Sequence, residues 1–154
     1  MSGKLVIAVA NEQTRHTVDA ARLKQAVRGI VTDAGYDSGE ISIAVIDDEQ
    51  MHLLNRKYLD HDYPTDVLSF VLDEEDSRLE GEVIVSADYA AREAERYGWA
   101  AADELLLYVI HGTLHLVGHD DLNIAAKREM RAAERQQLAK FGLTPRYDAD
   151  DLQG

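Results

Sequence analysis

The segment Ala101 to Val117 constrains this chain more than any other part of it. It has the length and composition of a helix, and from Leu105 to Ile110 it is apolar nearly all round. A helix without a polar face has no side to offer water and has to be buried among other elements. The apolar run is far shorter than the roughly 18 residues that a membrane span requires, so protein must cover it. It is expected as the central buried helix, and the rest of the chain has to supply its surroundings.

The flanking sequence does so with alternating patterns. Leu5 to Ala10, Ile41 to Val45, Val67 to Leu72 and Val83 to Val85 read as strands, Ile41, Ile43 and Val45 by their alternation with Ser42 and Ala44. Thr17 to Ala34 carries Ala20, Leu23, Val27, Ile30 and Val31 at helical spacing, and Gly35 is placed to end that helix. Asp47 or Asp48 can cap a second helix with Met51, Leu54 and Tyr58 on one face, broken by the segment from Asp62 to Asp66. Asp73 to Asp76 is expected as a solvated loop. Ser86 suits the start of a helix over Ala87 to Tyr97 with Gly98 as its stop, and Asn123 the start of a last helix over Ile124 to Phe141. The expected fold is α+β, a small mixed four-stranded sheet packed with about five helices. No repeat or linker divides the chain, so residues 1–146 are expected as one domain and 147–154 as an acidic tail.

Composition narrows the function. The 154 residues include no Cys, which excludes thiolate metal sites, Cys nucleophiles and disulfides. Met1 to Ala10 lacks a small-residue cleavage site and reads as a first strand, so a cytoplasmic protein is expected. With 16 basic and 29 acidic side chains the net charge is −13, and the mean field repels phosphate. The acidity is local: residues 61–121 carry 3 basic and 15 acidic side chains, or −12 of the total.

Three of the six histidines, His111, His115 and His119, lie on the central helix and at its exit. His111 and His115 are four apart, so on a helix they stack one turn above the other and aim two imidazoles at one point. That is how a helix holds two legs of a metal site. Gly118 can turn the chain back, and either Asp121 or His119 can then close the coordination sphere. Three protein ligands plus water make an open zinc site, which activates water near neutral pH and implies hydrolysis. Core or capping duty is the ordinary alternative for any one of these histidines alone. A metallopeptidase with the same His spacing needs a Glu directly after the first His, and here that position is Gly112.

The sequence His111-Gly112-x-Leu114-His115-Leu116-x-Gly118-x-Asp120 resembles the signature of the YbeY-type endoribonucleases, the bacterial rRNA maturation factors. Leu54-Asn55-x-x-Tyr58, Asp62-x-Pro64-Thr65-Asp66-Val67-Leu68-Ser69-Phe70 and Gly81-Glu82-Val83-Ile84-Val85-Ser86 resemble further blocks of that family, in family order. The resemblance implies a single-strand-specific endoribonuclease with one Zn²⁺ per chain, a zinc-bound hydroxide attacking a phosphodiester. It also implies work in 16S rRNA 3′-end maturation and ribosome quality control, with rRNA precursor and ribosomal proteins as partners and neither DNA nor membrane. By position, the implied ligands are His111, His115 and Asp121, which stands where the family usually has His; His119 is the alternative third ligand. Leu59 stands where the family usually has an Arg suited to phosphate, leaving Arg56 and Lys57 as candidate substrate contacts beside Asp66 and Ser69. Surface, turn-capping and strand-polarity roles are the plain alternatives for these four. Lys127, Arg128, Arg131 and Arg135 read as a solvated helix face, or as an RNA-contacting patch. A different class, a ribosome-assembly binding protein with a mainly structural zinc, is the competing reading.

Overall fold

Local periodicity accounts for most elements of the computed structural model, which describes residues 4–59, 67–120 and 122–145. In chain order these are β1 (Leu5–Asn11), α1 (Ala20–Asp33), β2 (Ser38–Ile46), α2 (Asp48–Leu54), a π-helical turn (Asn55–Leu59), β3 (Val67–Glu75), β4 (Arg78–Ser86), α3 (Ala87–Tyr97), α4 (Ala101–Leu116) and α5 (Ile124–Ala139). Side-chain caps set the starts of α1, α2, α3 and α5. Asp19 accepts from the Arg22 amide, Asp47 from that of Gln50, Ser86 from that of Tyr89 and Asn123 from that of Ala126. The Asp19 cap is why α1 begins at Ala20 and not at Thr17. Gly98, at φ 75°, ends α3 in the left-handed conformation.

The sheet order is β1-β2-β4-β3, with β1, β2 and β4 parallel and β3 antiparallel to β4 at the edge. This is the expected α+β arrangement of a small mixed sheet and five helices. One expectation fails. Asp73, Glu74 and Glu75 are not loop but the end of β3, paired with Glu80, Leu79 and Arg78 after a register shift between Val71 and Asp73. The turn is confined to Asp76, at φ 50°, and Ser77. Acidic residues have weak strand preference, but pairing with β4 outweighs it, and on an edge strand their charge discourages pairing by another chain.

Successive strand residues point to opposite faces. Ile41, Ile43, Val45, Val83 and Val85 face the main core, which α1, α3, α4 and α5 close with Leu23, Val27, Ala90, Leu106, Ile110 and Leu138. On the other face Ile46, Leu68 and Ile84 pack with Met51 of α2 in a smaller cluster. The helix α4 is buried from Glu104 to Ile110 and again at Gly112 to Leu114, the central position expected for it. Each fully buried Leu or Ile here contributes about 1.5–3 kcal/mol. Among the described residues no helix is long and apolar enough to cross a membrane.

Candidate metal centre

One residue brings α4 against the sheet. A Cβ at Gly112 would stand 2.6 Å from Val83 Cγ1, 2.8 Å from Val67 Cγ1 and 3.0 Å from Ser69 Oγ. Bare backbone is therefore required, and Ser69 Oγ donates to the Gly112 carbonyl at 2.9 Å. The same contact explains why no Glu follows His111 in the chain: a peptidase base at position 112 would have to occupy the space of β3 and β4.

This approach places His111 and His115 beside the edge strand. With Val67, Ser69, Val71 and Leu116 they line an open cleft of about 420 Å³. Their rings meet edge to face, 4.7 Å between centroids and 78° between planes, with Nε2 to Nε2 at 3.1 Å. Two imidazoles bound to one tetrahedral zinc at about 2.0–2.1 Å would hold their nitrogens about 3.3 Å apart. The observed pair differs from that by a few tenths of an ångström, and imidazole is a common zinc ligand, so these donors fit the ion.

The far side of His111 carries a contact that sequence reasoning missed. His111 Nδ1 lies 2.6 Å from Oε2 of Glu134 on α5, a carboxylate with no exposed surface. Arg131 Nη1 donates to both Glu134 oxygens, at 2.8 and 3.2 Å. Arg131 thus leaves the expected solvated face of α5; its side chain is only 20% exposed. A signal for Glu134 was present, since it shares the buried stripe of α5 with Met130 and Leu138, where a charge needs a partner.

The remaining candidates divide. Ser69 lines the cleft. Arg56 and Lys57 are exposed on the π-helical turn and are not among the described residues lining it. His119 is half-buried just after Gly118, whose φ of 107° turns the chain out of α4. Among the described residues no three His, Asp or Glu side chains gather as a metal site. Asp66 and Asp121 lie outside the described residues, as does the acidic tail.

The sequence pattern of the family described as endoribonuclease YbeY matches residues 8–142. Two similar relatives are both named endoribonuclease YbeY. That of Geobacter sulfurreducens is 39% identical over 140 residues, covering 86% of this chain and 93% of the relative. That of Rhodopirellula baltica is 39% identical over 130 residues, covering 82% and 67%. The solution structure of TM1509 from Thermotoga maritima has a similar fold, with a TM-score of 0.62 and 26% identity over 88% of this chain and 87% of that one. A match that spans both sheet and helices and includes the paired histidines shows that the chain belongs to the YbeY endoribonuclease family.

Proposed function

We propose that this protein is a zinc-dependent endoribonuclease that cleaves single-stranded RNA in the cytoplasm, in 16S rRNA 3′-end maturation and ribosome quality control. The observation that carries the reading is the convergence of His111 and His115 Nε2 atoms, 3.1 Å apart, in a cleft bounded by an edge strand. Asp121 is the proposed third ligand, with His119 as its alternative. When bound, zinc supplies Lewis acidity and an activated water for phosphodiester hydrolysis. The protein's own groups position the RNA. The strand β3, last in the sheet order, walls the cleft along which an extended RNA would lie. Ser69 has its hydrogen committed to the Gly112 carbonyl, so toward substrate it can only accept, which suits a ribose hydroxyl and not a phosphate oxygen. Arg56 and Lys57 supply the positive charge that Leu59 does not. Ribosomal RNA precursor and ribosomal proteins are the proposed partners.

Replacing His115→Ala is expected to remove zinc, measured by elemental analysis, and to abolish cleavage of a single-stranded RNA carrying the 16S 3′ region. Cleavage at the wild-type rate would overturn the assignment. Chelation is expected to stop cleavage while circular dichroism still reports the folded chain, because α4 is packed by apolar side chains within the main core. Unfolding on chelation, with no cleavage by the zinc-loaded protein, would favour the structural-zinc reading instead.

A further inference from the structure

Glu134 is a buried carboxylate in contact with a proposed ligand, and a charge buried without purpose is costly. Taking a carboxylate out of water costs several kcal/mol unless hydrogen bonds and an opposite charge offset it. Here both are supplied: Arg131 holds the two oxygens and the His111 ring meets one of them. We infer that Glu134 and Arg131 are positioning residues that hold His111 in the tautomer and orientation a metal ion needs.

The chemistry follows from what each group can do. An ionised carboxylate only accepts, so His111 Nδ1 carries the hydrogen at this contact and Nε2 is left with its lone pair. That lone pair points to the partner nitrogen of His115 and into the cleft. Arg131 offers the carboxylate an opposite charge and fixes its plane, since a single guanidinium nitrogen reaches both oxygens. Two helices are thereby coupled: α4 presents the imidazole, and α5, from residues beyond the whole histidine signature, decides which nitrogen faces the ion. A carboxylate behind a ligating histidine also raises its basicity, and losing such a partner typically weakens metal affinity by about 10- to 100-fold.

The inference rests on the proposed zinc site, and its test separates the two. Nitrogen-15 NMR of the metal-free wild-type protein is expected to show His111 protonated at Nδ1 and not at Nε2; the opposite tautomer would overturn the role. Competition with a chromophoric zinc chelator is expected to give Glu134→Gln an affinity lower by about 10- to 100-fold. Arg131→Gln is expected to weaken zinc as well, and Arg131→Lys, which keeps the charge, to restore part of the loss. Wild-type zinc affinity in both Glu134→Gln and Arg131→Gln, with the wild-type protein binding zinc, would overturn the positioning role alone. Failure of the wild-type protein to bind zinc would overturn the site itself.

Discussion

At the scale of single residues, Gly112 shows how a missing side chain can determine chemistry. Helix propensity favours Ala over Gly by about 1 kcal/mol. At this position the added methyl would meet the Val83 and Val67 methyls at 2.6 and 2.8 Å, and overpacking typically costs about 1–3 kcal/mol. Val83 is fully buried and cannot yield freely. Gly112→Ala is therefore expected to lower the urea midpoint with an unchanged slope, a net loss of about 1–2 kcal/mol, and to lengthen the Ser69 contact that closes the cleft. A stability equal to wild type would show that β3 can move away, and that the histidines are not held by this approach. Legibility differs between neighbours here. The spacing of His111 and His115 was open to reading because helical geometry is local. The Glu134 contact joins positions 23 apart, and no local rule reaches that far.

At the scale of elements, the carboxyl ends of three parallel strands are tied by one side chain. Asp88, in the first turn of α3, accepts from Arg15 and His16 after β1 and from the Asp48 amide at the start of α2, each at 3.0 Å. Asp48 in turn accepts from Ser86, the α3 cap, and from Arg92. Burial raises the Asp88 carboxyl, but the Asp48 amide, the His16 ring and the Arg15 guanidinium outweigh it and hold the group below its ordinary value of 3.8. A carboxylate lowered in the folded state contributes stability that is present above the unfolded value and lost as pH falls through the folded one. Asp88→Asn is accordingly expected to cost about 1 kcal/mol at neutral pH and to flatten the fall in stability below about pH 4. Denaturant titrations at pH 3 and 7 measure this, and an identical pH dependence in the variant would show that the knot does not titrate with Asp88. The caps at Asp47, Ser86 and Asn123 were legible, since each is a local bond between a side chain and an amide three residues on. The knot was not, because it depends on strand order.

At the scale of the molecule, a net charge of −13 shapes how RNA can be bound. Most of that charge lies in residues 61–121, and three of its carboxylates, Asp73, Glu74 and Glu75, extend the edge strand that walls the cleft. A protein making six to ten phosphate contacts loses about 10³- to 10⁵-fold in affinity between 50 and 200 mM salt. This chain is expected to lose less than about tenfold over that range, because added salt also screens its own repulsion. Fluorescence anisotropy of a single-stranded RNA gives the slope, and a steep loss would mean that a concentrated basic surface does the binding. The sequence by itself determined the element types, the buried helix, most caps and the pairing of two histidines, all consequences of periods of 2 and 3.6 residues and of bonds a few positions long. Only the tertiary structure decided that the acidic stretch after Leu72 is strand, that β3 lies at the edge beside α4, and that Glu134 stands behind His111. Those facts depend on contacts between distant segments, where pairing and packing of the whole chain outweigh local preference.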